Sequence, residues 1–140
     1  MSTASELREL LKAKVAAMPT GMLMQAADDL DARPNRDEAE SRVMVELAVE
    51  LGKRLRSMAR EHSTESLIAD LRGYMVADYR TATKSQREAH WSTSTVLEER
   101  FPAALAAAED WLDSIDAENS AAGSYDAKLI ELIEAERVTA

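Results

Sequence analysis

The feature that most constrains this chain is the spacing of its apolar residues, which recur every three or four positions along most of its length. This spacing places apolar side chains on one face of an α-helix, whereas a half-buried strand needs strict alternation of apolar and polar residues. Only 4 Gly and 3 Pro interrupt the 140 residues, and Ala, Leu, Glu and Arg, which favour helix, are abundant. The sequence therefore predicts an all-α fold, a compact bundle of about six or seven helices.

Breaks in the apolar pattern and capping residues predict where the helices lie. We predict helices over residues 5–17, over a short segment ending before Pro34, over 35–60, 64–79, 85–100 and 102–118, and from 125 onwards. Asn35 with Glu38 fits a start signal for the third helix, and both Ser85 with Glu88 and Thr95 with Glu98 fit a capping box. The predicted inward stripes are Leu7, Leu10, Leu11 and Val15 in the first helix, and Leu105, Ala108, Leu112 and Ile115 in the sixth.

The length is that of one domain, so we treat residues 1–140 as a single helical domain. A subdivision is compatible with the charge pattern, with N-terminal helices in residues 1–60 and an acidic C-terminal helical part in residues 64–140. Residues 1–60 carry 10 basic and 10 acidic residues, whereas residues 98–140 carry 3 basic and 11 acidic residues. Most of the net charge of -9 therefore lies in the last third of the chain.

The residues that usually carry catalysis are scarce or badly spaced. The chain has no Cys, its two His residues are His62 and His90, and neither lies in a Glu-x-x-His or His-Glu-x-x-His pattern. Its glycines are scattered singly, which excludes a phosphate-binding loop or a dinucleotide fingerprint. We therefore expect no enzyme activity, no cofactor and no metal site. The sequence also shows no membrane span and no secretory segment at its start, so we expect a cytoplasmic protein.

The acidic residues of the sixth helix lie where they destabilise it. Glu109, Asp110, Asp113 and Asp116 fall in its second half, where the helix dipole disfavours negative charge, and no Lys or Arg lies between Phe101 and Lys128. Glu109, Asp113 and Asp116 are spaced i, i+4, i+7 and form one ridge. Two interpretations stay open: a surface that binds a partner, or a solvated face that keeps the protein soluble.

Trp91 lies in a Ser- and Thr-rich stretch and could equally be a core residue or an exposed anchor, since Trp is enriched in binding hot spots. The basic residues between Lys53 and Arg60 do not require a binding role, because the dipole of a helix favours cations at its C-terminal end. With a negative net charge, direct binding to nucleic acid is not expected.

The segment MLMQAADDLDAR, followed by ESRVMVELAVELGKRL from Glu40 to Leu55, resembles small helical proteins encoded by bacterial phages and plasmids. That population includes anti-CRISPR proteins. The resemblance covers residues 1–60 as a pattern of apolar and acidic positions, and it implies no particular functional residue.

Together these features predict a non-catalytic interaction protein of a mobile genetic element, which inhibits a host complex that binds nucleic acid. The predicted partner-binding residues are Glu98, Glu99, Glu109, Asp110, Asp113, Asp116 and Trp91. The alternative is a structural or regulatory module that acts as a homodimer, because Val45 and Val49 lie off the main apolar stripe of the third helix.

Overall fold

A computed structural model describes residues 3–77, 80–115 and 124–139. Within these ranges the chain forms seven helices and no strand, which confirms the all-α prediction. The helices are α1 Ala4–Ala16, α2 Thr20–Asp31, α3 Glu38–Ala59, α4 Thr64–Val76, α5 Lys84–Arg100, α6 Pro102–Ser114 and α7 Ser124–Thr139. None of these helices is long and apolar enough to cross a membrane.

The buried apolar side chains form two clusters. The N-terminal cluster comes from α1, α2 and α3, and consists of Val15, Leu23, Ala27, Met44, Leu47 and Leu51. The C-terminal cluster comes chiefly from α4 to α7, and contains Leu67, Ile68, Leu71, Val96, Leu97, Ala104, Ala108, Leu129, Ile130 and Ile133. The subdivision of the domain into residues 1–60 and residues 64–140 stays a prediction.

Helix α5 packs against both regions and lies closest to α3. Its beginning is held by acidic residues of α2: Asp28 Oδ1 accepts hydrogen bonds from the backbone N–H of Ser85 at 2.8 Å and from its hydroxyl at 2.6 Å. Two residues further along α5, the Arg87 guanidinium donates to Asp31 of α2 at 2.6 Å. A carboxylate at the N-terminus of a helix also meets the positive end of its dipole. These contacts fix α5 against the N-terminal helices.

Arg54 of α3 holds the connection between α1 and α2. Its guanidinium donates to the carbonyl oxygens of Met18 at 2.6 Å and Ala16 at 3.1 Å, and its Nε donates to Glu50 at 3.0 Å. Because the last carbonyls of a helix have no partner within that helix, Arg54 supplies the donors that the end of α1 lacks. The helix dipole is therefore only part of the explanation for the basic end of α3.

Two predicted helix starts are wrong. Helix α3 is capped by Asp37 with Glu40, rather than by Asn35 with Glu38, because both halves of the capping box form there: Asp37 Oδ1 accepts from the Glu40 N–H, and Glu40 accepts from the Asp37 N–H. Helix α5 starts after Thr83, which forms its capping box with Gln86. The Ser- and Thr-rich stretch continues this helix without a break.

The predicted inward stripes hold only in part. Val15 is buried, but Leu7 and Leu10 are 57% and 64% exposed, because α2 and α3 cover only one edge of α1. In α6, Ala108 is buried and Leu112 is largely exposed. This helix ends at Ser114, earlier than predicted, since Ile115 has an extended backbone with ψ of 153°.

Candidate functional site

A cleft between α5 and the start of α7 collects most of the polar chemistry of the C-terminal region. It encloses about 310 Å³, and we call it the acidic cleft. Its lining residues are Arg87, His90, Trp91, Ser94, Glu98, Tyr125 and Asp126. The positions from Arg87 to Glu98 recur at spacings of three and four, so one face of α5 forms one wall and the first turn of α7 forms the other.

Asp126 is the buried carboxylate at the base of this cleft. Its Oδ2 lies 2.7 Å from His90 Nε2, and its Oδ1 accepts a hydrogen bond from the Ser94 hydroxyl at 3.3 Å. On its other side the His90 ring stacks on Tyr74 of α4, with ring centroids 5.2 Å apart and an interplanar angle of 15°. Asp126 therefore joins α7 to α5, and Tyr74 fixes the orientation of the imidazole.

Tyr125, the neighbour of Asp126 in α7, contacts a carboxylate of α5. The Tyr125 hydroxyl donates to Glu98 Oε2 at 3.4 Å. Burial, together with the negative charges of Glu98, Glu109 and Asp126, raises the pKa of Tyr125 to about 12. Burial is also the main reason that the pKa of Glu98 is raised, and the charges of Glu109 and Asp126 add to the effect. The ionised form of Glu98 is therefore disfavoured both by burial and by the negative charges of Glu109 and Asp126.

Trp91 lines the acidic cleft and is 54% exposed, so of the two positions that the sequence left open, core or surface, it takes the one at the surface. The guanidinium of Arg56 in α3 lies over its ring, 5.1 Å from the ring centroid. Such a cation–π contact holds the indole in place without covering it. Trp91 also lines the neighbouring groove between α3 and α5.

The structure separates the predicted partner-binding residues into groups. Glu98 and Trp91 line the cleft, and Glu109 is near enough to shift the pKa of both Glu98 and Tyr125. Glu99 lies apart from them: it accepts two hydrogen bonds from Arg60, at 3.1 and 2.9 Å, and this pairing lowers its pKa.

The acidic ridge of α6 is only partly described. Asp110 and Asp113 are exposed on α6 and do not line the acidic cleft. Asp116, the third member of the ridge, lies outside the described residues. On the opposite side of α6, Lys128 of α7 approaches the ring of Trp111, with 5.9 Å between Nζ and the ring centroid. This lysine supplies a positive charge beside α6 that α6 itself lacks.

Sequence reasoning missed Tyr125, Asp126, His90 and Ser94 as members of one site. His90 and Asp126 are 36 residues apart, so no local spacing could have revealed the pair.

The arrangement favours binding cations and hydrogen-bond donors. Ser94 donates to Asp126, the same carboxylate that His90 contacts, instead of presenting its hydroxyl to the imidazole as a Ser-His-Asp nucleophile would. Among the described residues, no group of three or more His, Asp or Glu is placed to hold a metal ion. The carboxylates of Glu98 and Asp126 offer hydrogen-bond acceptors in the cleft, and Arg87 places one cation in the same lining.

Comparisons with family models, with curated proteins and with solved structures find no match for this chain.

Proposed function

We propose that this chain is a non-catalytic binding protein whose acidic cleft receives a basic side chain from a nucleic-acid-binding surface of a host protein complex, and that by occupying this surface it inhibits the complex. The observation that carries the proposal is the placement of two carboxylates, Glu98 and Asp126, in the lining of one cleft beside the exposed ring of Trp91. Inhibition of a defence complex, as by an anti-CRISPR protein, is the form of this activity that the resemblance of residues 1–60 implies.

The raised pKa of Glu98 supports the proposal on energetic grounds. A carboxylate whose pKa is raised by burial and by like charges is less stable ionised in the folded protein than in water. An arriving guanidinium or ammonium group would relieve that repulsion, so the cleft gains more from a cation than isolated surface acids do. Trp91 offers an aromatic face of the kind found in hot spots, next to the charge.

The overall charge supports the choice of partner. A net charge of -9 repels nucleic acid and steers the protein towards basic surfaces, with a rate that falls as salt is added. Surfaces that bind phosphates are rich in Lys and Arg, so they offer the side chains that this cleft fits. Long-range attraction and the local cleft therefore favour the same kind of partner.

The test combines capture with a matched control. We would immobilise the wild-type protein, a cleft variant carrying Glu98→Gln, and a control variant carrying Asp29→Asn. The control loses the same charge from an exposed residue that does not line the cleft. Each would be exposed at low salt to lysate of a bacterial host, eluted with a salt step, and the eluted proteins identified.

The proposal predicts that the wild type and the control retain the same nucleic-acid-binding protein and that the cleft variant does not. Added duplex DNA should compete for that protein, because both ligands occupy one basic surface. Equal retention by the cleft variant, or retention that DNA does not affect, would contradict the proposal.

A further inference from the structure

A second surface, remote in sequence from the acidic cleft, lies between α1 and the first half of α3. It is a groove of about 600 Å³, which we call the α1–α3 groove. Leu7, Leu11, Val43 and Val45 form its apolar part. Leu7 is 57% exposed and Val45 is 60% exposed, so two aliphatic side chains on neighbouring helices face solvent in one groove. Grouped exposure of this kind is typical of surfaces that bind another protein.

Charged residues of both signs surround this apolar part. Arg8 of α1 and Arg42 of α3 supply two positive charges, and Glu38 and Glu46 of α3 supply two negative charges. Arg42 and Glu38 pair with each other at 3.2 Å, but their side chains are 61% and 85% exposed, so the pair can exchange partners at little cost. The charges of the groove sum to zero.

This balance is what an interface with a second copy of the chain requires. In a two-fold symmetric dimer the same patch meets itself, so the patch must contain both members of each attractive pair. The α1–α3 groove meets that condition, whereas a surface of one sign would repel its own copy.

The charge of the whole chain leads to the same choice. With a net charge of -9, two copies repel each other through their C-terminal regions, and residues 1–60, with 10 basic and 10 acidic residues, are the neutral part of the sequence.

We propose that the α1–α3 groove is the interface of a homodimer, in which the apolar parts of the two grooves face each other and Arg8 and Arg42 of one protomer lie against Glu38 and Glu46 of its partner. This inference does not depend on the proposed function of the acidic cleft.

The first experiment measures the mass of the full-length protein by sedimentation velocity between 10 and 200 µM, roughly the range in which interfaces of modest area associate. The variants are Leu7→Glu and Val45→Glu, which place a charge at exposed positions and so leave the fold intact. Met22→Glu is the control, since Met22 is 61% exposed on α2 and does not line the groove. We expect Leu7→Glu and Val45→Glu to raise the dimer dissociation constant about tenfold or more, and Met22→Glu to leave it unchanged.

The second experiment tests the charge pairing. One variant carries Arg8→Glu and Arg42→Glu, and the other carries Glu38→Arg and Glu46→Arg, so that each groove has a single sign. We expect each variant alone to be monomeric and an equimolar mixture of the two to form a heterodimer. A monomeric wild type at 200 µM, a dimer that Leu7→Glu and Val45→Glu leave intact, or a mixture that does not associate would overturn the proposal. Capture of a basic partner by the acidic cleft is unaffected by any of these results.

Discussion

The N-terminal region, α1 to α3, and the C-terminal region, α4 to α7, are both helical but differ in what they expose. The N-terminal helices carry balanced charge in residues 1–60 and leave more large apolar side chains in solvent. Among the described residues these are Leu7, Leu10, Met22, Val45, Val49 and Met58, against Val76, Trp91, Leu112 and Val138 in the C-terminal region. The C-terminal region carries the excess of acidic residues and gathers some of them around a cleft. A sequence that forms helices can therefore carry very different surface charges. Here the α1–α3 groove suits contact with an apolar surface, and the acidic cleft suits contact with a basic one.

The largest effects are expected from the two apolar clusters. Leu51 and Leu97 are fully buried, one in each cluster, so Leu51→Ala and Leu97→Ala should each lower the free energy of unfolding by about 2–5 kcal/mol. Because α5 is tied to α2 by Asp28 and Asp31, we expect both regions to unfold together. Urea denaturation followed by circular dichroism should show one transition in each variant. Two separate transitions would show that the regions are independent units.

Removing Arg54 tests how the N-terminal region is held. Arg54→Ala leaves the carbonyl oxygens of Met18 and Ala16 without their donor, and should lower the free energy of unfolding by about 1.5–3 kcal/mol. Arg54→Lys should recover only part of this loss, because an ammonium group lacks the forked donors of a guanidinium. Lys53→Ala, an exposed neighbour, is the control and should change stability by less than about 0.5 kcal/mol. If Arg54→Ala, Arg54→Lys and Lys53→Ala are equally stable, Arg54 does not hold the connection between α1 and α2.

The junction between the regions depends on Asp28. Asp28→Ala removes the acceptor for the Ser85 N–H at the start of α5, and should cost about 0.5–2 kcal/mol, as the loss of a capping residue does. Asp29 is the matched control, because it is next in sequence, exposed, and bonded only locally to Gln25 among the contacts seen. Thermal unfolding of Asp28→Ala and Asp29→Ala side by side should separate them. If Asp29→Ala loses as much stability, the junction is not held as described.

The smallest effect on stability is expected for Glu98→Gln. The sign of this effect shows whether Glu98 stabilises the folded protein at pH 7 or destabilises it, as a residue kept for binding would. The pKa of Glu98 is raised in the folded protein, so its contribution to stability is fully present below its ordinary pKa and is lost as pH rises through the raised value. At pH 7, Glu98→Gln should therefore raise the melting temperature slightly while keeping an acceptor for Tyr125. Below about pH 4 the two proteins should melt alike. A lower melting temperature for Glu98→Gln at pH 7 would contradict this electrostatic account.

The elements that sequence reasoning predicts well are those determined by local spacing. Pro102 at the first turn of α6 and the periodic leucines of α3 and α4 locate their helices to within a few residues. The cap of α3 was misplaced because Asn35 and Asp37 both have Glu three positions on, and only the reciprocal hydrogen bonds of Asp37 and Glu40 decide between them.

The acidic cleft could be predicted only in part. Glu109 is conspicuous in the sequence as an acid in a stretch without cations, and Trp91 as a tryptophan among hydroxyl residues. Asp126 and His90 meet through the packing of α7 on its neighbours, which depends on tertiary contacts and not on local pattern. For the same reason the exposure of Leu7 could not be predicted, since the helical stripe of α1 shows which residues share a face but not how much of that face is covered.

The most direct test of the division between the two regions is a titration of the isotope-labelled protein with a hexa-arginine peptide, followed by two-dimensional amide NMR at low salt. The two tryptophan side chains report separately, one at the mouth of the acidic cleft and the other, Trp111, on α6 beside Lys128. The account predicts that the largest shifts occur at the Trp91 indole N–H and at Glu98 and Tyr125, and that the α1–α3 groove is unaffected. Shifts of equal size spread over Asp110, Asp113 and the other exposed acids, with Trp91 unchanged, would contradict it.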